Sequence, residues 1–433
     1  MTVSVAAPAR VDVRPTTVRP STVYAAALAG WVVTRILVLA HQGAWPWMNS
    51  FVVDAARGII VGDWLDAVRP QLPAVLGVPL ALLGLSDLQM VAALYLIASL
   101  VQFGAFVVML RAAFPERLQE QTIGLLVFLV LPFNHSIHHY RDTPVLLASA
   151  AIFLMCADVV RTFTGQRTSV SGSWSVSLKR GLLLIGLMVL GIWSRIEVLA
   201  FVGVLLVIVL VIFRARGIGL VVSYAAATIV VVGTLLGTCK VADVDVSQAW
   251  FYTAHTFLDS TPDSWLSPEC RANPTENCRE TDGLSYFGPA NLREGVFVLA
   301  MNHPLTTLEK SIRSAWDNTW ILIGPNLSTF PGTIPFLIVV AAMFPAVREA
   351  YRDIPLAVWV IAIAIAAESV LPPLTWAPPH PQYHVALVLP VVILLVPPLL
   401  ALMRMRRGRW LAFGYLLADA ALSAFRYTRY PGY

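Results

Sequence analysis

The chain has 433 residues, 58% of them hydrophobic and 13% charged, with a formal net charge of +5. Roughly a quarter of a soluble chain is charged, so this composition excludes an ordinary soluble enzyme and reads as an integral membrane protein. The positive balance does not indicate nucleic acid, because the arginines lie in short segments between apolar runs and not along one basic face; membrane orientation accounts for them.

Residues 1–21 are rich in Pro, Thr and Val, carry Arg10, Arg14 and Arg19, and lack the apolar stretch and small-residue cleavage site of a signal peptide. They read as a disordered cytoplasmic tail. Apolar length and punctuation by Pro, Gly and charge then place spans at 23–41, 88–110, 121–137, 143–160, 181–193, 198–213, 217–238, 330–347, 355–372 and 384–403, with a weaker one at 410–425. The expected fold class is an all-α polytopic membrane protein of about 10–11 transmembrane helices. It divides into an N-terminal transmembrane module at 22–238, a large loop at 239–329 and a C-terminal transmembrane module at 330–433. With the tail inside, Arg111 and Arg117, Arg161, Arg167, Lys179 and Arg180, Arg214 and Arg216, Arg348 and Arg352, and Arg404, Arg406, Arg407 and Arg409 all fall inside as well. That topology requires residues 73–85 to form a juxtamembrane helix and not a span.

The opposite side receives a first loop at 42–87, two short charged turns, the large loop and the turn at 374–383. The first loop opens on Trp45, Pro46 and Trp47. An amphipathic helix over 51–61 would put Asp54, Arg57 and Gly58 on one face, either as solvated charges of an interfacial anchor or as a presented acid. Asp63 and Asp66 follow in the turn Gly62-Asp63-Trp64-Leu65-Asp66.

Charges at span boundaries are costly unless they face water or a polar ligand. The clusters His138-His139-Tyr140-Arg141-Asp142 and Ser194-Arg195-Ile196-Glu197 stand at such boundaries. Arg141 with Asp142, and Arg195 with Glu197, read either as local ion pairs or as anion clamps with guanidinium geometry. Arg35 lies inside the first span, about two turns from its outer end, and either snorkels to the interface or reaches a lipid phosphate or Glu368. His135, His138 and His139 with Asp142 would share one face if helical, a set able to hold a divalent metal; a polar turn is the other reading, and no cofactor is demanded. In the large loop, Cys270 and Cys278 bracket a polar turn that a disulfide would close, which suits an oxidising compartment. Val296, Leu299, Leu305, Leu308, Ile312 and Trp316 recur at helical intervals, with Glu309, Lys310 and Arg313 on other faces. They predict amphipathic helices broken at Pro304, resting on the membrane rim as a lid or a cap.

These residues together resemble the GT-C superfamily of polyprenyl-phosphate-sugar-dependent glycosyltransferases, which includes the dolichyl-phosphate-mannose mannosyltransferases. The resemblance is carried by an acid in a long first outer loop, an Ala-rich juxtamembrane helix, the Gly62-Asp63-Trp64 turn, the Pro73-to-Pro79 short helix, Tyr140-Arg141-Asp142 and Ser194-Arg195-Ile196-Glu197. His303-Pro304 and the segment from Pro379 through His380, Pro381 and Gln382 to Tyr383 are similar to further family features. It implies a plasma-membrane enzyme with an extracytoplasmic site, taking a polyprenyl-phosphate sugar as donor and a cell-envelope glycan, lipid or protein as acceptor, with membrane lipids but no nucleic acid as partners. Asp54, then Asp63 and Asp66, are the candidate bases; Arg35, Arg57, Tyr140, Arg141, Asp142, Arg195, Glu197, His303, His380 and Tyr383 are the candidate substrate contacts. The chain departs from the pattern in two places. Asn49 stands near the position of the usual acid, and Gln382 where an arginine is common. A non-catalytic assembly partner of the same type, and a lipid flippase or transporter, are the alternatives. The transporter reading lacks an internal repeat.

Overall fold

The computed structural model describes residues 19–42, 46–62, 71–131, 142–165, 174–241, 257–273, 276–288, 295–323, 333–375 and 386–429. Every regular element among them is helical. In chain order these are α1 (Pro20–Gln42), α2 (Pro46–Ile60), α3 (Gln71–Leu82), α4 (Asp87–Ala113), α5 (Leu118–Val130), α6 (Asp142–Phe163), α7 (Trp174–Ile192), α8 (Val198–Phe213) and α9 (Ala215–Val241). Then follow α10 (Pro268–Ala272), α11 (Glu276–Phe287), α12 (Gly295–Asn302), α13 (Pro304–Ile323), α14 (Thr333–Met343), α15 (Pro345–Ala350), α16 (Leu356–Thr375), α17 (Val388–Arg404) and α18 (Gly408–Arg429).

Four of these helices are long and apolar enough to cross a membrane: α1, α4, α6 and α9. A bent pair, Pro345–Asp353 with Leu356–Ala367, makes up to five if it is one span. α3 is a short apolar helix, as expected of a juxtamembrane element, while α5, α8 and α17, in stretches expected to span, are also shorter among the described residues than the roughly 20 residues that a bilayer crossing needs. The stretch 330–347 is not one helix. It breaks at Phe344, whose extended backbone (φ −125°, ψ 103°) precedes Pro345 at the start of α15, because proline disfavours a helical residue before it and cannot donate within a helix.

Pairings along the helices set their directions. Tyr24 faces Arg111, Trp31 donates from Nε1 to the Ser99 carbonyl at 2.9 Å, and Arg35 reaches Tyr95, so α1 and α4 run antiparallel. Gln102 donates to Ser149 at 2.9 Å and Phe106 meets Phe153, so α4 and α6 run parallel. α6 is the centre of the bundle, packed on α4, α7 and α16. Of its span 94% is buried, against 22% for α1 and α9, which leaves those two as outer helices. Small residues allow the close approach. A Cβ on Gly191 of α7 would stand 2.8 Å from Val198 and 3.3 Å from Ala151 of α6. Aromatic rings fill the space between α1, α4, α5 and α6, with Phe128 at 4.0 Å from Phe106 and 4.8 Å from Trp31.

The end of the bundle where α1 stops and α4 starts is the one that carries the short helices. α2 buries Val53 and Ala56 against Met90 of α4, with Val78 and Leu80 of α3 alongside. A capping box starts α4: Gln89 N–H donates to the Ser86 hydroxyl at 3.4 Å and Ser86 N–H to the Gln89 side chain at 2.9 Å. Leu72 N–H at the start of α3 donates to the Trp193 carbonyl at 2.9 Å, which ties α3 to the turn between α7 and α8.

The α2–α3 contact depends on Gly77, where a Cβ would stand 2.9 Å from the Ala56 Cβ. Gly77→Ala should therefore lower stability by about 1–3 kcal/mol through overpacking, despite the better helix propensity of alanine. Gly104→Ala, in open space, should be neutral or stabilising. Thermal unfolding of both variants in detergent checks this, and equal effects at the two sites would contradict it.

Candidate functional site

The site is built from the loop-rich end inward. α2 is amphipathic because Val52, Val53 and Ala56 are buried while Asp54 and Arg57 are exposed, as the spacing predicts. Arg57 forms an ion pair with Asp87 in the first turn of α4, where an acid also suits the helix dipole. Both side chains are about half exposed, so the pair pins α2 without contributing much energy; Arg57 is thus engaged structurally. Asp54, three residues earlier, has neither an ion pair nor a hydrogen bond among the described residues. Five residues of helix are about 7.5 Å of rise and about 140° of rotation, so Asp54 is not the acid of position 49 moved along one face.

Beside α3 lies the turn 193–197. Arg195 grips Glu197 through two bonds, Nη2 to Oε1 at 2.7 Å and Nε to Oε2 at 3.3 Å. Burial by itself would push Glu197 up, but the Arg195 charge and the hydrogen bonds to it outweigh burial and hold the carboxyl below its usual value. The local ion pair expected from the sequence is therefore present. Next to it, the Trp193 Nε1 and the Ser194 hydroxyl are buried without a hydrogen-bond partner.

Deeper in the bundle, Arg35 is wholly buried. It does not snorkel. Its Nη1 donates to Tyr95 at 2.9 Å and its guanidinium lies 3.8 Å over the Trp31 ring. The Glu368 side chain, one partner considered for it, lies outside the described residues, as do Asp63, Asp66, His135, His138, His139, Tyr140, Arg141, His380 and Tyr383. Asp142 opens α6, and its side chain is likewise outside them. Among the described residues no group of three potential metal ligands comes together.

Segment 257–323 has its own small core of Phe257, Leu258, Trp265, Phe287, Val296 and Leu299, closed by the disulfide Cys270–Cys278 with its Cα atoms 5.7 Å apart. His303 stands between α12 and α13, edge-on to Phe287 at 5.9 Å. The helix break at Pro304 is as expected, and Leu305, Leu308, Ile312 and Trp316 form an exposed apolar stripe on α13. Lys310 is a residue that sequence reasoning passed over: it points away from that stripe and into the protein. It is wholly buried, donating to the Ser260 hydroxyl at 2.6 Å and lying 3.9 Å over the Phe257 ring. Its position opposite the stripe was the available signal.

No protein family, no curated protein and no solved structure matches the chain.

Burial depresses the Lys310 amine from 10.5 to about 7. Between those values the unfolded chain holds a proton that the folded chain has lost, so stability rises with pH from about 7 towards 10.5 and is flat below. Each unit of depression corresponds to about 1.4 kcal/mol. Lys310→Met should raise the unfolding temperature at neutral pH and flatten its increase between pH 7 and 10. Thermal scans across pH measure this; an unchanged slope in the variant would contradict it.

Proposed function

We propose that the chain is a multi-pass membrane glycosyltransferase of the GT-C type, with about ten or eleven spans and its site on the extracytoplasmic side of the plasma membrane. It transfers a sugar from a polyprenyl-phosphate donor to a cell-envelope acceptor. The observation that carries this reading is Asp54, an exposed carboxylate without an ion pair, held on α2 at the end of the bundle that also carries the Arg195–Glu197 turn. An accessible carboxylate is what an acceptor hydroxyl needs as a base.

In the proposed step the acceptor hydroxyl gives its proton to Asp54 while its oxygen bonds to the anomeric carbon. The bond from that carbon to the phosphate oxygen breaks, and the electron pair leaves with the polyprenyl phosphate, so the anomeric configuration inverts. Arg141 and Arg195 stabilise the charge developing on phosphate, Arg195 by exchanging Glu197 for the phosphate oxygens. A second reading, a non-catalytic assembly partner, is favoured by Asn49 in place of the family's acid.

Transfer of radiolabelled sugar from a panel of polyprenyl-phosphate donors onto envelope extract separates the two. Asp54→Asn should lower the rate at least about 100-fold without changing thermal unfolding. Full complementation of a gene deletion by the Asp54→Asn protein would instead establish the non-catalytic reading.

A further inference from the structure

Arg35 sits one turn after Trp31 and one turn before Val38 on α1. Tyr95 accepts from its Nη1, and Trp31 covers one face of its plane. The remaining in-plane donors, Nε and Nη2, are buried and have no hydrogen-bond partner. Among the described residues no carboxylate pairs with this arginine. A ring lying over the guanidinium does not satisfy N–H groups that point along its plane.

Arg195 shows what that edge is suited to. Its Nε and Nη2 hold the two oxygens of Glu197 side by side, which is the bidentate geometry guanidinium offers to carboxylate and phosphate. In Arg35 the same edge meets no hydrogen-bond acceptor among the described residues, and the guanidinium is enclosed in an apolar bundle, where an ionisable group calls for a polar or charged partner. Two further donors lie one backbone contact beyond the cluster around Tyr95. Tyr95 and Val38 share a cluster with Leu72, Leu76 and Leu190; Leu72 N–H bonds to the Trp193 carbonyl, and Trp193 and Ser194 keep a buried N–H and hydroxyl without partners.

We propose that the Nε–Nη2 edge of Arg35 is an anion site within the helical bundle, beside the cluster that α1, α4 and α6 form with α3 and α7, that takes a phosphate group. The phosphate comes from a lipid headgroup or from free phosphate. The site is separate from Asp54 and from the Arg195–Glu197 pair, and it does not depend on the glycosyltransferase reading. The guanidinium is wholly enclosed, so entry of the group requires a shift of the helices around it.

The test is equilibrium binding to the purified full-length protein in detergent, with radiolabelled farnesyl phosphate and inorganic phosphate as probes and farnesol as the uncharged control. Wild type should bind farnesyl phosphate and not farnesol, and Arg35→Met should weaken it at least about tenfold. Competition by inorganic phosphate assigns the site to free phosphate; its failure to compete assigns the site to a lipid headgroup. Trp193→Phe and Ser194→Ala, which preserve packing if Arg35→Met fails to fold, should weaken binding about threefold or more. Absence of binding to wild type, or wild-type affinity in all the variants that fold, overturns the proposal. Binding without sugar transfer upholds it while removing the transferase reading.

Discussion

A cation enclosed in an apolar helical bundle needs something to balance it, and that constraint governs the interior of this molecule. Arg35 meets it in part through Trp31 and Tyr95, and the same two residues are what joins α1, an otherwise weakly embedded helix, to α4. Trp31 in turn enters the aromatic cluster with Phe103, Phe106 and Phe128. The arginine is therefore fixed through Trp31 by an aromatic cluster of the bundle, which holds its Nε–Nη2 edge in a defined direction. Lys310 answers the same constraint differently. An ammonium shifts its protonation readily when buried, and burial moves this lysine towards neutrality.

The loop-rich end depends on close backbone approach. α2 has no length to span a membrane and gains its position from Val53 and Ala56 packed on α3 and α4, through the gap that Gly77 leaves. The Arg57–Asp87 pair and the Ser86–Gln89 capping box then fix where α4 begins. Asp54 projects outward from this frame, and α3 links it to the turn bearing Arg195. This arrangement puts an exposed acid and a bidentate arginine pair on elements that both contact α3.

Much of this was legible in the sequence where the signal is local. The run 198–213 is uninterrupted and flanked by Glu197 and Arg214, and α8 has those limits. Pro304 separates two helices, and the two cysteines are joined, because ring geometry and an eight-residue separation leave few other outcomes. What failed to show was one local break and two orientations set by distant partners. Pro345 inside an apolar run looked tolerable, yet it ends α14. The amphipathic pattern of α13 identified a helix, with Lys310 on a face other than the apolar stripe, but not which face meets protein. Arg35 had a choice between the interface and the interior, and only Trp31 one turn before it and Tyr95 far along the chain decide that choice.

We propose that this bundle binds phosphate-bearing lipid near the end where α2, α3 and the 193–197 turn meet. The most direct test is a cryo-electron microscopy map of the full-length protein reconstituted with a prenyl phosphate. The account predicts density for a phosphate group against the Nε–Nη2 edge of Arg35, with the chain leading out past α3. An Arg35 edge occupied by a protein carboxylate, or bound lipid whose phosphate lies elsewhere, would contradict it.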